Sequence, residues 1–230
     1  MSVKFLSPLL ACLIGLAGCT DSETNEPAPI APGAPVSSND IGIPAELVTD
    51  GLELMGHPFD KKITYQVTGF PIGSSSEQIV VPSYDADKKQ LTFSYEGSPN
   101  MSSETYELRP DGVYGVSLAG NALEPPLKAL PSEVSDGLSW PSVGTLKQGA
   151  GIDIDTTIRV TGREKVKVPA GEYDALVIAE EGTIKTEGGT LKVTGKAWYV
   201  EGIGAVKRLV DQTDPTGKAS NITIEALKIQ

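Results

Sequence analysis

Apolar and polar residues alternate along most of the chain after residue 62. Ile63, Tyr65 and Val67 alternate with threonine and glutamine, and residues 91–95, 152–160 and 222–226 keep the same spacing. A period of two places successive side chains on opposite faces of a strand, so each run predicts a strand with one buried face. About ten to twelve such runs are present, and their polar faces are typical of antiparallel sheets.

Turn signals separate these runs. Asp111-Gly112, Gly188-Gly189 and residues 214–217 are rich in Asp, Pro and Gly, and the Gly188-Gly189 pair predicts a hairpin. Residues 44–55 carry apolar side chains on one helical face and predict a short helix, and residues 127–138 predict a second helix or a loop. The sequence therefore predicts a mainly β fold with one or two short helices. We expect a single curved antiparallel sheet, in the form of a half-barrel or a sandwich.

An export signal is predicted at the N-terminus. Lys4 is followed by a mostly apolar stretch of about 12 residues, which is too short to span a bilayer but has the length of a signal peptide. The stretch ends in Leu16-Ala17-Gly18-Cys19, which resembles the bacterial lipobox. That resemblance implies cleavage before Cys19 and attachment of acyl chains, such as palmitate, to this residue. An ordinary signal peptide with an incidental cysteine is the alternative.

The residues after Cys19 predict where the chain is held. Thr20 stands where an aspartate retains enterobacterial lipoproteins in the inner membrane, so the resemblance implies the periplasmic face of the outer membrane. Residues 19–44 contain five prolines and no aromatic residue, and such a stretch buries too little apolar surface to order itself. We therefore expect a signal peptide at 1–18, a disordered Pro-rich tether at 19–44 and one β-rich domain at 45–230.

Three motifs occur in order in the C-terminal half. Residues 137–140 are Gly-Leu-Ser-Trp, residues 168–173 are Val-Pro-Ala-Gly-Glu-Tyr, and residues 198–207 are Trp-Tyr-Val-Glu-Gly-Ile-Gly-Ala-Val-Lys. This order resembles a family of uncharacterised bacterial lipoproteins and periplasmic proteins with V-P-A-G-x-Y/F and W-Y-x-x-G-x-G-x-V-K motifs. The resemblance covers residues 127–210. It implies a curved antiparallel sheet, distantly similar to the half-barrels of periplasmic lipoprotein carriers, and it implies no catalytic residues.

Composition excludes several classes of function. The net charge is −11, and removal of residues 1–18 leaves 18 basic against 30 acidic residues, so nucleic acid would be repelled. His57 is the only histidine, and no Gly-x-Ser-x-Gly motif accompanies it. Cys12 lies in the signal and Cys19 would carry lipid, so no cysteine remains for a metal site. We expect no metal, no cofactor and no catalytic activity.

Two carboxylate patterns are better explained by structure than by chemistry. Asp85, Asp87 and Glu96 have part of the spacing of an EF-hand loop, but lysine and glutamine stand at its fifth and sixth positions. A turn leading into a strand is therefore favoured there. Asp153 and Asp155 share one face of a strand and resemble a carboxylate pair, but polar residues continue that face, which favours a solvated outer surface.

Binding is the class of function that remains. A curved sheet with an apolar concave face can hold a lipid or a peptide. The candidate ligand-facing residues are Trp198, Tyr199, Phe93 and Tyr95, with Tyr65, Tyr106 and Tyr114 as further candidates that suit a core equally well. We expect a non-catalytic envelope protein, attached to the membrane by its N-terminal lipid, whose domain binds or scaffolds another envelope protein. The alternative is a periplasmic carrier or sensor of a hydrophobic ligand.

Overall fold

Twelve antiparallel strands form a closed barrel in a computed structural model, which describes residues 41–69, 76–96 and 103–230. The elements are a 3-10 turn (Ala45–Leu47), α1 (Asp50–Leu54), β1 (Ile63–Gly69), β2 (Ser76–Asp85), β3 (Gln90–Glu96), β4 (Ser103–Arg109), β5 (Gly112–Leu118), β6 (Asn121–Pro131), β7 (Ser139–Leu146), β8 (Ile152–Val168), β9 (Gly171–Thr186), β10 (Gly189–Val200), β11 (Gly204–Thr213) and β12 (Ala219–Ile229). The predicted signal peptide, Cys19 and most of the predicted tether lie outside the described residues.

Closure of the sheet corrects the predicted half-barrel or sandwich. Each strand pairs with its neighbours in the chain, and β1 pairs with both β2 and β12. The closing seam joins Ile63 to Ile229 and Gly69 to Ile222. Closure pairs the first and last strands with each other, so neither presents the open edge that an end strand of an open sheet would expose. The mainly β class and the strand number are confirmed.

The short helical segment lies within the predicted range of 44–55. The Thr49 hydroxyl accepts a hydrogen bond from the Leu52 amide at 3.3 Å and caps α1. A Cβ atom on Gly51 would lie 2.4 Å from the carbonyl oxygen of Pro131, so the absent side chain lets α1 rest directly on β6. Of residues 127–138, the first five belong to β6 and the next seven form a loop. No helix within the described ranges is long and apolar enough to cross a membrane.

The barrel interior contains two apolar clusters. The upper cluster lies beneath α1, and its members include Leu52, Phe93, Tyr95, Tyr106, Trp140, Ile158, Ile178 and Tyr199. Ile41 and Ile43, which precede the 3-10 turn, also pack against it. The lower cluster fills the other part of the interior, and its members include Leu118, Leu146, Ile154, Ile184, Val193 and Val210. Buried polar side chains lie between the upper and lower clusters.

A third apolar cluster covers part of the outer surface. The end of the β8–β9 hairpin folds back over the neighbouring strands, and the Ala170 amide donates a hydrogen bond to the Ala226 carbonyl at 3.0 Å. Trp198 is buried beneath this hairpin, and its indole Nε1 donates to Glu164 Oε1 at 2.5 Å. The Val-Pro-Ala-Gly-Glu-Tyr motif forms the tip, where the Tyr173 hydroxyl donates to the Ala170 carbonyl at 3.2 Å. This motif is therefore an architectural element.

Candidate binding site

A cavity opens into the upper part of the barrel. It contains about 630 Å³ of space, with open solvent at its mouth included, between the segment that follows α1 and strands β1–β4, β10 and β11. We call it the aromatic cavity because of the rings that line it, which are those of Phe59, Tyr65, Phe93, Tyr95, Tyr106 and Tyr199. Lys61, which is exposed, stands at its mouth.

The rings of this wall pack edge to face. The centroids of Phe59 and Phe93 are 5.6 Å apart with an interplanar angle of 71°, and those of Phe93 and Tyr106 are 5.9 Å apart at 74°. Such pairs fix one another's orientation. The Tyr65 hydroxyl donates to the Ala205 carbonyl at 2.7 Å, and burial raises the pKa of Tyr65 to about 12. The aromatic part of the wall is therefore mostly apolar, and Tyr65 stays neutral at neutral pH.

The 198–207 motif holds the segment that bounds the cavity. The Gly202 amide donates to the Glu53 carbonyl at 3.0 Å. Gly204 has a φ of +105°, and a Cβ atom there would lie 3.2 Å from the Met55 carbonyl oxygen. Glycine at this position therefore lets the start of β11 approach the chain that follows α1. The motif shapes one side of the aromatic cavity.

A layer of buried polar side chains separates the upper and lower clusters. Along β8, β9 and β11, each of its members falls between a residue of one cluster and a residue of the other. The layer, which we call the polar layer, consists of Glu104, Ser142, Thr156, Glu180 and Arg208. Burial of an ionisable group without a partner is costly, so the surroundings of Glu104, Glu180 and Arg208 decide their charge states.

Arg208 is the cation of the polar layer. Its side chain is 6% exposed, it lines the aromatic cavity, and its Cζ lies 5.7 Å from the centroid of the Tyr199 ring. Its Nη1 has no hydrogen-bond partner, and no ion pair in the described part of the chain includes it. Burial lowers the pKa of Arg208, but nearby tyrosines and Glu104 outweigh it and leave the pKa raised. The guanidinium is therefore charged.

Glu104 is the most buried acid, with 1% of its surface exposed. Tyr106 donates a hydrogen bond to its Oε2 at 2.8 Å, whereas Oε1 has no partner. Burial raises the pKa of Glu104 to about 8, although hydrogen bonds from Tyr106 and Tyr95 and the charge of Arg208 pull it down. Glu104 is therefore mainly protonated at neutral pH.

Glu180 lies on β9 and is 8% exposed. Burial raises its pKa to about 7, opposed by a hydrogen bond from Thr156 and by the charge of Arg208. Its Oε1 has no partner. Glu180 and Glu104 line a second cavity of about 370 Å³ that reaches into the lower part of the barrel. With one acid mainly protonated and the other about half protonated at pH 7, the two carboxyls do not balance the charge of Arg208.

The structure divides the aromatic residues that the sequence suggests as ligand-facing into those that line the cavity and those that do not. Five line the aromatic cavity, and they are Phe93, Tyr95, Tyr199, Tyr65 and Tyr106. Trp198 does not, because it lies on the outer face of β10 beneath the folded hairpin. Tyr114 is also outside the cavity, where its hydroxyl donates to Asp111 Oδ2 and its ring packs against a guanidinium. Cys19 lies outside the described residues.

The other candidates occupy surface positions. Asp153 and Asp155 are exposed on the outer face of β8, which confirms the solvated face. Asp85 lies at the turn after β2 and pairs with Lys88 at 3.1 Å. His57 packs its ring 5.8 Å from that of Phe59. Across the residues that the structure describes, no group of three or more His, Cys, Asp or Glu side chains is placed to hold a metal ion.

Sequence reasoning missed the polar layer, although a signal was present. Glu180 has the parity of Ile178 and Ile184, and Glu104 has that of Tyr106 and Leu108. A charged residue at an inward position of an alternating strand marks a buried ionisable group. Arg208 was harder to find, because a bulge between Trp198 and Tyr199 shifts the pairing of β10 with β11.

Three solved structures are similar to this chain. A candidate exported protein with a YmcC-like fold from Bacteroides fragilis NCTC 9343 has a TM-score of 0.51 at 13% identity, with 74% of this chain and 95% of that chain covered. A candidate lipoprotein from Parabacteroides distasonis ATCC 8503 has a TM-score of 0.48 at 10% identity, covering 74% and 94%. The hypothetical lipoprotein YmcC from Escherichia coli K12 has a TM-score of 0.39 at 15% identity, covering 78% and 88%.

Among curated proteins, none matches the chain. The model of one protein family, described as DUF3108-like, matches residues 60–218. The match contains β1–β11, which supply every strand of the aromatic cavity. It also contains all three motifs that carried the resemblance, at residues 137–140, 168–173 and 198–207. The chain belongs to the DUF3108-like family.

Proposed function

We propose that this chain is a non-catalytic, lipid-anchored envelope protein whose barrel binds a small, largely apolar molecule in the aromatic cavity. The observation that carries the proposal is the cavity itself, an opening of about 630 Å³, open solvent included, into the upper part of the barrel. A barrel of twelve strands is wider than one that its own side chains fill, so an open, aromatic interior favours a ligand.

The envelope location rests on the N-terminus and the relatives. The Leu16-Ala17-Gly18-Cys19 sequence supports acylation at Cys19 and attachment to the periplasmic face of the outer membrane. The B. fragilis neighbour is named as exported, which fits an envelope protein. A lipid anchor would keep the mouth of the cavity near a source of apolar molecules.

Binding is favoured over scaffolding by the distribution of apolar surface. Among the described residues, the exposed large hydrophobic side chains are Val81 and Val143, at 38% and 51% exposure. Two separate valines do not form the contiguous patch that a protein partner would need. The extensive apolar surface that remains accessible lies inside the aromatic cavity.

Paired substitutions on β2 test the proposal. Val80 is half-buried and lines the cavity, whereas Val81 is exposed on the opposite face of the same strand. The full-length chain would be extracted from host membranes, transferred to amphipol and measured by native mass spectrometry, followed by calorimetric titration with decan-1-ol. We expect bound apolar molecules and saturable decan-1-ol binding in the native chain and in Val81→Trp.

The matched variant Val80→Trp fills the mouth with a larger ring, and we expect it to lose both signals. Unfolding curves for the two variants would establish that both are folded. Equal decan-1-ol binding by Val80→Trp and Val81→Trp would show that the amphipol or an outer surface takes up the probe, and would refute binding in the aromatic cavity. An empty native chain with no saturable binding would refute it as well.

A further inference from the structure

Resting on the proposed function, we infer that the ligand of the aromatic cavity is a monocarboxylic acid with an apolar tail, whose carboxylate pairs with Arg208. The tail would lie against the aromatic wall and point towards the mouth. The inference names the chemical class of the ligand, which the shape of the cavity alone leaves open.

The first argument is the unbalanced charge of Arg208. The Arg208 side chain is 6% exposed and lines the cavity. Its Nη1 has no hydrogen-bond partner in the protein. A buried cation is normally paired, because desolvation without a partner costs several kcal/mol. The structure offers Arg208 the face of the Tyr199 ring at 5.7 Å, which is a partial substitute for an anion. A ligand anion would complete the site.

The second argument concerns the type of anion. The planar guanidinium presents two N–H groups in parallel and binds a carboxylate through both of its oxygens. The Tyr65 and Tyr95 rings also line the cavity, so a head group paired with Arg208 would lie beside aromatic surface. Any larger polar head would place unsatisfied groups against the aromatic wall, at a desolvation cost.

The third argument is the gradient of polarity along the cavity. Arg208 is buried in the polar layer, whereas the apolar lining residues Phe59, Val80 and Pro82 are half-buried and Lys61 is exposed. A molecule with one anionic end and one apolar end matches this gradient when its head is innermost. A cationic amphiphile would be repelled by Arg208, and a neutral one would leave the charge unpaired.

The ionisation of the surroundings sets when the site attracts an anion. The titratable and charged groups that face Arg208 are the phenols Tyr65, Tyr95 and Tyr199, the carboxyls Glu104 and Glu180, and, at the mouth, Lys61. The pKa of Tyr65 is about 12 and that of Tyr95 is raised well above its usual value, so these phenols stay neutral below pH 9. Deprotonation of Glu104 above pH 8 would place a competing negative charge near Arg208.

The experiment compares three ten-carbon probes that differ only in the head. Decanoate, decan-1-ol and decylammonium would be titrated into the full-length chain in amphipol at pH 7, with Val80→Trp as the blank for uptake by the amphipol. We expect decanoate to bind at least tenfold more tightly than decan-1-ol, and decylammonium to bind most weakly. In Arg208→Met we expect the ratio of decanoate affinity to decan-1-ol affinity to fall to about one, and in Arg208→Lys we expect part of this ratio to return.

A second variant keeps the inference testable if Arg208→Met does not fold. At pH 9, native decanoate affinity should fall about tenfold from its value at pH 7. The affinity of Glu104→Gln should fall clearly less, because only Glu180 then adds negative charge near Arg208, and misfolding cannot produce that smaller loss. Equal native affinities for decanoate and decan-1-ol above the blank would overturn the carboxylate inference and leave the binding function standing. No binding of any probe above the blank would overturn the proposed function itself.

Discussion

Glu104 should make the stability of the barrel fall as the pH rises. Its carboxyl is 1% exposed and has a pKa of about 8 in the folded chain. In the unfolded chain the same group is solvated, with a pKa near 4.5. Below pH 4.5 both states carry the proton, and the full stability is present. Between pH 4.5 and 8 only the folded state holds the proton, so unfolding releases it and becomes easier as the pH rises.

The size of the effect follows from the difference between the two pKa values. Each pKa unit corresponds to roughly 1.4 kcal/mol, so a rise from 4.5 to about 8 corresponds to about 5 kcal/mol of stability lost across this interval. Glu180, with a pKa of about 7, adds about 3 kcal/mol below pH 7. Between pH 7 and 8, therefore, the slope belongs mainly to Glu104 and amounts to about 1 kcal/mol per pH unit, because this carboxyl goes from mainly protonated to half protonated across the interval.

The substitution Glu104→Gln isolates this term. Glutamine keeps the shape of the protonated acid and an oxygen for the Tyr106 hydroxyl, which donates at 2.8 Å, but it does not titrate. Guanidinium unfolding of the full chain, followed by the fluorescence of Trp140 and Trp198 at half-unit steps of pH, gives the free energy of unfolding. The variant should show almost no slope between pH 7 and 8. Glu181→Gln, which removes an exposed acid from the outer face of β9, is the control and should keep the native slope.

Parallel curves for the native chain and Glu104→Gln would refute the reasoning. They would mean that Glu104 ionises in the folded chain as easily as in water. In that case the polar layer would be hydrated, and Arg208 would have a carboxylate to balance its charge. The same measurement therefore tests the electrostatic basis of the inferred ligand class without any ligand present.

Three further predictions concern the rest of the chain. Gly51→Ala should destabilise the fold by about 1–3 kcal/mol, because its Cβ would lie 2.4 Å from the Pro131 carbonyl oxygen. Gly188→Ala, whose Cβ would lie 3.6 Å from its nearest neighbour, should cost about 0.5 kcal/mol or less, and chemical unfolding of both variants measures the difference. Trp198→Ala should cost about 3–5 kcal/mol by the same assay, and it should leave decan-1-ol binding intact because Trp198 does not line the aromatic cavity. Cys19→Ser should release the chain from membranes and abolish incorporation of labelled palmitate, and a variant that still fractionates with membranes and carries label would contradict the anchor.

Local features of the fold were predictable because each depends on neighbouring residues. The structure confirms the predicted alternation of buried and exposed residues in Ile152–Val168. It also confirms the predicted turns at Asp111-Gly112, which joins β4 to β5, and at Gly188-Gly189, which joins β9 to β10. Closure was not predictable, because it joins Ile63–Gly69 to residues near the C-terminus and nothing local in either segment specifies the partner. An open sheet and a barrel share one alternating pattern, and they differ only in whether the two end strands meet.

The site was predicted in its aromatic part and missed in its charged part. Phe93 and Tyr95 follow the inward parity of β3, so their presence in the wall follows from the strand pattern. Trp198 and Tyr199 are adjacent, so one of them had to point outward, and the sequence alone did not say which one. The role of Arg208 depends on the depth at which β11 enters the barrel and on the bulge opposite it. Both are properties of the assembled barrel.

The polar layer is poorly explained by stability. Replacement of buried ionisable groups by well-packed apolar residues of similar volume is often neutral or stabilising, by about 1–4 kcal/mol. Along β9, Ile178 and Ile184 of the two clusters flank Glu180, and along β11, Ala205 and Val210 flank Arg208. An apolar layer would therefore have fitted the same backbone without any pH-dependent loss of stability. Arg208, moreover, faces the open cavity, where a charge is accessible to a ligand, whereas Glu104 and Glu180 face the second cavity. A cation placed on the accessible side, with Glu104 mainly protonated and Glu180 about half protonated behind it at pH 7, is an arrangement that attracts an anion from outside, and recognition accounts for it better than folding does.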